Sequence, residues 1–319
     1  MTSHYSNEKY HQLNSQLSES LFQGRYLVRA YQNASLAAYD VAMGLQQYLS
    51  HKNHLGVVKN GSSLIENLTP HWLRAATPMQ TKTETQTWTE YIESLNSETN
   101  FVMWASENEI TGEVLVSEKE VQEIHDRLAK KRIFSIQITH RATEEIVLAN
   151  YSILIVRNSI LSDDSCAVVM TDKMKALSLI GAYQDLNGAQ IKSLSGQEDE
   201  LLLNLVEKKF ETKMLYLHQY AMIPPRVTDR VVFHFKDLSG AALQEELGLT
   251  DFHCFAPSRY PFWVLQSWKN WWKESESEIL LRGLCIISLD AFIKDDDLTL
   301  KIPNAVEKIR RLSQWNVLP

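Results

Sequence analysis

The chain has 319 residues, of which 44% are hydrophobic, and this supplies a full core for one large domain or two smaller ones. Acidic and basic residues are interleaved around a formal net charge of -7, which argues against nucleic acid as a partner. The apolar runs fall far short of the ~20 residues that span a bilayer, and the N-terminus is polar, so we expect a cytoplasmic protein that does not enter a membrane.

Residues 1–50 are predicted to form a helical segment, because their apolar residues recur at three- and four-residue spacing. These residues include Tyr26, Leu27, Val28, Leu36, Tyr39, Val41, Leu45 and Tyr48. A short strand is predicted at residues 54–59, and a helical pattern resumes at Leu64. Gly61 therefore lies at a strand-to-helix turn, where the exposed N–H groups of a helix N-terminus suit an anion.

The following segment predicts a βαβ unit. Residues 77–89 are polar and threonine-rich, and we expect a loop followed by a short helix. Ser117 and Glu120 then form a capping box that opens another helix. Buried strands are predicted at residues 101–104, 133–138, 153–156 and 166–170. Strand, helix and strand at this spacing favour a mostly parallel sheet flanked by helices, which is an α/β fold.

The C-terminal part changes its order of elements. A long helix from Ser195 leads to Pro224 and Pro225, which form a natural boundary. Beyond them we predict strands at 230–235, 284–287 and 298–302, helices at 241–247 and from Asn304, and a tryptophan-rich helix with Trp268, Trp271 and Trp272. This mixture predicts a smaller α+β domain. The predicted divisions are 1–50, 51–222 and 223–319.

Cysteine and histidine usage indicates neither disulfides nor a metal. Cys166, Cys254 and Cys285 are too few and too scattered for a disulfide framework, and we expect all three to be reduced and buried. His51 and His54 lie three residues apart without a third ligand nearby. We therefore predict no metal site.

Four segments carry a resemblance to a known family. They are residues 57–62 (VVKNGS), 108–117 (NEITGEVLVS), 171–181 (TDKMKALSLIG) and the strand–helix ending from residue 283. In this order they resemble the fold-type-I aminotransferases of class I/II, which use pyridoxal phosphate (PLP). The resemblance implies an aminotransferase-like large domain, a smaller C-terminal domain and a homodimer that takes a small amino-acid-like ligand.

The same resemblance implies a set of cofactor-binding residues. Gly61 and Ser62 would hold the PLP phosphate. The family asparagine that contacts the phenolic oxygen falls on Glu109, and the neighbouring Asn108 would take its place. The aspartate that the family places against the ring nitrogen is replaced by Thr139 or, one residue earlier, by Ile138. Neither side chain can hold a pyridinium charge, so the resemblance implies a weaker electron sink.

The catalytic lysine has more than one candidate. Lys173 fits the spacing from Thr171, which would also contact the cofactor, whereas Lys175 fits the residues that follow; a third alignment leaves no lysine at this position. At the C-terminus the arginine that grips the substrate carboxylate becomes Lys301, a point charge without the planar fork. We expect Lys301 on the last strand, pointing into the crevice between the domains.

The patterns and the resemblance predict one arrangement of the fold and leave three functional hypotheses. The strands that end at Trp104, Ile138 and Met170 should lie beside one another, with Gly61 at the same crevice. The first functional hypothesis is a diverged protein without standard transamination, in a regulatory or interaction role. The second is an active PLP enzyme, a transferase or lyase, with an unusual amino-group substrate. The third is an α/β binding protein for a phosphorylated ligand.

Overall fold

The computed structural model of the chain describes residues 2–49, 51–59, 61–83, 85–108, 114–139, 147–157, 166–177, 179, 230–234, 238–248, 252–254, 284–288, 295 and 297–315. The chain divides into two compact units. The first comprises Met1–Glu109 and Val114–Leu194, and the second comprises Ile110–Glu113 and Ser195–Pro319. The boundary predicted at residue 222, the long helix predicted from Ser195 and the tryptophan-rich helix lie outside the described residues.

The first unit contains five α-helices and seven strands among its described residues. The helices are α1 (Thr2–Phe22), α2 (Ala34–Tyr48), α3 (Ser63–Arg74), α4 (Trp88–Ser94) and α5 (Glu118–Lys130), followed by a 3-10 helix at Asp172–Ala176. The strands are β1 (Leu27–Tyr31), β2 (His54–Val57), β3 (Met79–Thr81), β4 (Thr99–Ala105), β5 (Phe134–Thr139), β6 (Ser152–Arg157) and β7 (Cys166–Met170).

The seven strands form one sheet in the order β1-β7-β6-β5-β4-β2-β3. The pairs from β3 through β2, β4 and β5 to β6 are all parallel. Strand β7 runs antiparallel to both of its neighbours, β6 and β1. The prediction of a mostly parallel sheet flanked by helices is confirmed.

Helices cover both faces of this sheet, which explains why β4 and β5 in its centre are buried along their whole length. Helices α2 and α3 pack on one face in a core that includes Phe101, Met103 and Ile136. Helix α1 packs on the other face over β1, β6 and β7, and α4 and α5 pack there over β4. Every described residue of β4, β5 and β7 is buried.

Three features differ from the sequence prediction in this unit. The residues from Leu27 to Tyr31 form strand β1 rather than part of a helix, and Met79–Thr81 adds a short strand within the polar stretch. In α2 the buried face consists mainly of alanines with Val41 and Leu45, whereas Leu36 and Tyr39 are exposed. The small alanine side chains let α2 approach the sheet closely, so apolar size alone does not identify the buried face.

The second unit contains a three-stranded antiparallel sheet in the order β8-β10-β9. Its strands are β8 (Arg230–His234), β9 (Phe252–Cys254) and β10 (Leu284–Ser288), and its described helices are α6 (Gly240–Leu247) and α7 (Leu298–Trp315). Helix α6 packs against α7. Strands and helices of this kind make the unit α+β, as the sequence predicts.

Within the part of the chain that the structure describes, no helix is both long enough and apolar enough to cross a membrane.

Candidate functional site

The carboxyl ends of the parallel strands meet at one edge of the large sheet, which we term the carboxyl edge. Here Ala105 of β4 pairs with Ile138 of β5, and Thr139 pairs with Val156 of β6. Loops that leave this edge of a parallel sheet are the usual location of ligand sites in open α/β folds. The polar residues that follow β2, β4 and β5 are therefore candidates for a functional site.

Gly61 lies in the turn between β2 and α3 and packs directly on the chain that leaves β4. Its φ is +68°, and a Cβ atom there would lie 2.6 Å from the Glu107 carbonyl oxygen and 3.0 Å from the Asn108 Cα. Ser62 follows as the N-cap of α3, and its hydroxyl accepts a hydrogen bond from the Leu64 N–H at 3.3 Å. Glycine is required because both the backbone conformation and the close packing exclude a side chain.

A buried carboxylate lies at the centre of the carboxyl edge. The Thr139 hydroxyl donates to Glu107 Oε1 at 2.9 Å, and the Ser106 hydroxyl donates to Glu107 Oε2 at 2.8 Å. Ser106 and Thr139 are each only 2% exposed. A carboxylate that accepts two buried hydroxyl donors is held in a single orientation.

Glu107 is a residue that the sequence prediction missed. The resemblance places a carboxylate at the end of β5, where this chain has Ile138 and Thr139. The neighbouring strand β4 supplies one instead, and it bonds to Thr139. The available signal was an acidic residue two positions after Ala105, the last residue of β4, because residues just beyond a parallel strand lie at the carboxyl edge.

Further polar side chains extend from Ser106 along the α5 face of β5. Gln137 Nε2 donates to the Ser106 hydroxyl at 2.9 Å, and Gln137 Oε1 lies 2.9 Å from Nε2 of His125 on α5. The other ring nitrogen of His125 lies 2.8 Å from the Ser152 hydroxyl. Burial lowers the pKa of His125 to about 4, so the imidazole is neutral at pH 7. These residues were also missed, although Ser135, Gln137 and Thr139 show the polar alternation of one strand face.

The structure brings four of the predicted cofactor-binding residues together. Gly61 and Ser62 lie in the turn that contacts the backbone of Asn108, and Thr139 bonds to the residue before Asn108. Asn108 is fully buried. The carboxyl edge therefore carries the part of the predicted site that comes from β2, β4 and β5.

Thr171, Lys173 and Lys175 lie away from this group, which corrects the prediction of one shared crevice. Met170 pairs with Ile153, and Ile153 pairs with Ile136, three residues before Thr139. At ~3.3 Å per residue and ~4.8 Å per strand, Met170 lies about 10 Å from Thr139 along the strands and about 10 Å across them. Because β7 is antiparallel, the chain after Met170 continues toward the opposite edge.

The expected side-by-side order of the three strand ends is also wrong in part. β4 and β5 are neighbours, but β6 lies between β5 and β7. All three strands do belong to one sheet. Because β7 runs antiparallel, its carboxyl end lies at the opposite edge of the sheet from the carboxyl ends of β4 and β5. The local sequence carries no information on the direction of a strand.

The segment after β7 is held by contacts with the core. Leu177 and Leu179 pack beside Gly44 of α2, where a Cβ atom would lie 3.2 Å from Leu179 Cδ2. Arg29 of β1 donates to the Leu179 carbonyl oxygen at 3.3 Å. Lys173 is exposed, and the exposed Lys175 lies 3.5 Å from the Asp172 carboxylate. Both lysines thus occupy a solvated surface next to a structural segment.

Lys301 lies in α7 rather than on a strand, so the predicted strand at residues 298–302 is wrong. Leu298, Ile302 and Ala305 are buried at helical spacing, which explains the helix. Lys301 is on the exposed side of this helix and forms an ion pair with Asp295. Its role in binding a substrate carboxylate remains a prediction.

The described residues do not fit PLP in the arrangement that the resemblance implies. The two candidate lysines follow Met170, where the antiparallel strand β7 has led the chain away from the edge that carries Thr139. The Thr139 hydroxyl donates its proton to Glu107, and the backbone of Glu107 and Asn108 packs against the inner side of the Gly61 turn.

Comparisons with known proteins bear on the fold. No family model and no curated protein match the sequence. Solved structures do match, among them a NifS-like protein with a TM-score of 0.65 and 9% identity, over 98% of this chain and 89% of that one. DndA from Streptomyces lividans matches with a TM-score of 0.57 and 13% identity, over 90% of each chain. The histidinol-phosphate aminotransferase from Clostridium acetobutylicum matches with a TM-score of 0.54 and 12% identity, over 95% of this chain and 89% of that one.

One of these neighbours is described as an aminotransferase. The chain has the aminotransferase-like fold, which confirms the resemblance at the level of architecture. At 9–13% identity the likeness establishes the fold alone.

Proposed function

We propose that this chain is a diverged protein of aminotransferase-like fold that does not carry out standard transamination and has a regulatory or interaction role. The position of Lys173 and Lys175 supports this proposal most strongly. Transamination needs a lysine that reaches the cofactor aldehyde beside the residues that bind the ring and phosphate. Both candidate lysines follow Met170, from which the chain leads away from the carboxyl edge.

The hydrogen bonds of Thr139 give a second line of support. A PLP enzyme that transaminates keeps its ring nitrogen protonated with a carboxylate, which makes the ring a strong electron sink. Here the residue at the end of β5 is neutral, and its hydroxyl is bonded to Glu107. A carboxylate contact to the ring nitrogen, which supports transamination, would have to come from a residue other than Thr139.

An active PLP enzyme with an unusual amino-group substrate is the second candidate. The observation that favours it is the convergence of Gly61, Ser62, Asn108 and Thr139 at one edge of the sheet. The exposed Lys59 also follows β2 at this edge. If the chain forms an imine with PLP, Lys59 is the described lysine best placed to take the role of Lys173 or Lys175.

The absorbance of the purified protein separates these candidates. The protein should be colourless after incubation with PLP and dialysis to remove the free cofactor, because Lys173 and Lys175 follow a strand that leads away from the carboxyl edge. Borohydride reduction followed by peptide mapping should give no pyridoxyl-lysine above the level seen in unfolded protein. The Lys173→Ala, Lys175→Ala and Lys59→Ala variants should give the same spectrum as the wild type.

A yellow protein that bleaches with borohydride would contradict the proposal. Loss of that colour in one of the three variants would identify the reactive lysine and establish the second candidate. A pyridoxyl label on any other lysine would also favour the active enzyme, with a site built from different residues.

A further inference from the structure

Five side chains form one continuous hydrogen-bonded chain from the start of β6 to the carboxyl edge. We call it the Ser152–Glu107 chain, and it consists of Ser152, His125, Gln137, Ser106 and Glu107. Its four links measure 2.8 or 2.9 Å. Each side chain from Ser152 to Ser106 is at most 5% exposed. Buried polar chains of this kind polarise along their length, so the charge at one end influences the other.

The direction of the chain is set at its Glu107 end. When Glu107 is ionised, its carboxylate can only accept hydrogen bonds, so a bond between Ser106 and Glu107 uses the single proton of the Ser106 hydroxyl. The Ile138 carbonyl oxygen is the other acceptor near Ser106, but it lies at 3.3 Å against 2.8 Å for the carboxylate. The shorter, charge-assisted bond is the stronger one. Ser106 is then left as an acceptor toward Gln137.

The remaining links follow from this assignment. Gln137 must direct its amide N–H toward Ser106 and its carbonyl oxygen toward His125. A carbonyl oxygen only accepts, so Nε2 of His125 must carry a proton. Because burial keeps the ring neutral, Nδ1 is bare and accepts from the Ser152 hydroxyl. Asp126 on the same helix favours a protonated ring, but the effect of burial is larger.

We propose that the Ser152–Glu107 chain couples the charge at the carboxyl edge to the proton position on His125. While Glu107 is ionised, His125 is held as the Nε2–H tautomer. When Glu107 loses its charge, Ser106 no longer has to donate to it, Gln137 is free to turn over, and His125 can move its proton to Nδ1. The Ser152–Glu107 chain thereby transmits a change of charge in the loop after β4 to helix α5. This inference is independent of whether the protein binds PLP.

Nitrogen NMR of the histidine side chains tests the coupling on the intact protein. The two ring nitrogens of a neutral histidine have distinct shifts, and His125→Gln assigns the signals among the ten histidines. Wild-type His125 should show the Nε2–H tautomer alone at pH 7. In Glu107→Gln the ratio of Nε2–H to Nδ1–H should fall by roughly tenfold, the order expected for one lost buried hydrogen bond.

Three further variants complete the test, and the first of them replaces Glu107→Gln if that variant does not fold. Ser106→Ala cuts the chain beside Glu107 and should produce the same fall in the ratio. Thr139→Val removes a donor to Glu107 that is not part of the Ser152–Glu107 chain and leaves every link of it, so it should leave His125 unchanged. Glu118→Gln makes the same change of charge at an exposed site of α5 and should also have no effect.

Two results would overturn the coupling. The first is an Nδ1–H tautomer in the wild type, which would reverse the direction of the chain. The second is a wild-type tautomer ratio in both Glu107→Gln and Ser106→Ala, which would mean that local packing fixes His125 without Glu107.

Discussion

Gly61 joins two loops of the carboxyl edge at a single residue. Its positive φ brings the turn before α3 against the backbone that leaves β4, with no room for a Cβ atom between them. The sequence predicted this glycine as part of a phosphate cradle. Its contacts with Glu107 and Asn108 give it a packing function that does not require a ligand.

Gly61→Ala should destabilise the protein by more than about 2 kcal/mol, because the new methyl group meets backbone atoms that cannot move aside and the φ of +68° is strained. The matched control is Gly248→Ala, whose φ is +62° but whose Cβ would have nothing within 4 Å. That control should cost only the backbone strain, about 1 kcal/mol. Urea unfolding of both variants measures the difference, and equal losses would show that the close packing contributes nothing.

His125 should make the protein sensitive to mild acid. Burial lowers its folded pKa to about 4, whereas the unfolded value is about 6.5. The unfolded state therefore binds the proton first, and stability falls as the pH drops from 6.5 to 4, by about 3 kcal/mol in total. Unfolding free energies of wild type and His125→Gln between pH 7 and pH 4 test this. The variant should lack this part of the loss, and a parallel pH dependence would contradict the expectation.

At the scale of elements, helix α5 positions His125 over the sheet and depends on its first turn. The Ser117 hydroxyl caps the Glu120 N–H, and the Glu120 carboxylate accepts from the Ser117 N–H at 3.0 Å. These bonds lower the pKa of Glu120, so they weaken as the carboxyl protonates. A second capping box, formed by Thr87 and Glu90, opens α4.

Ser117→Ala should destabilise the protein by about 1 kcal/mol, the usual cost of losing an N-cap. Ser20→Ala is the control, because it makes the same chemical change at an exposed position inside α1. That control should leave stability unchanged or raise it slightly, since alanine is the better helix former. Thermal unfolding by circular dichroism compares the two. A loss for Ser20→Ala equal to that for Ser117→Ala would remove the cap as the explanation.

Elements with a strong local signal were predictable from the sequence, and those that depend on distant partners were not. The capping box of Ser117 and the apolar strands β4 to β7 are confirmed within a residue or two. Strand β1 was predicted as helix because the spacing of its apolar residues is compatible with a helix and with a strand. Only its pairing with β7 makes it a strand. Residues 298–302 were predicted as a strand, but their burial pattern continues into a helix that starts at Leu298.

The candidate site shows the same division. Gly61, Ser62, Asn108 and Thr139 follow strands that all run in one direction, so their grouping followed from the predicted parallel sheet. Thr171, Lys173 and Lys175 follow the one strand whose direction is reversed relative to β6, and no local pattern encodes that reversal. Glu107 was missed because the prediction treated one segment at a time. The bond between Glu107, which follows β4, and Thr139, which ends β5, depends on the two strands being neighbours in the sheet.

For the whole molecule, added PLP should not stabilise the native state. A ligand at 100 times its Kd adds about 2.7 kcal/mol to the free energy of unfolding. We expect no rise in the melting temperature of the full chain with PLP at 100 μM, because the described residues do not fit the cofactor. Inorganic phosphate at the same concentration is the control for a general anion effect. A rise with PLP and not with phosphate would contradict this expectation and favour the active enzyme.

The pairing of β1 with β7 sets the order in which the first unit can assemble during synthesis. β1 lies at the end of the sheet, and its strand partner is β7, which is encoded near the end of the unit. The amino-terminal residues therefore leave the ribosome long before their binding surface exists. Until β7 is made, β1 presents an apolar strand with two unpaired edges, which is the kind of segment that molecular chaperones protect. The part of this unit that is translated first is thus among the last to be ordered.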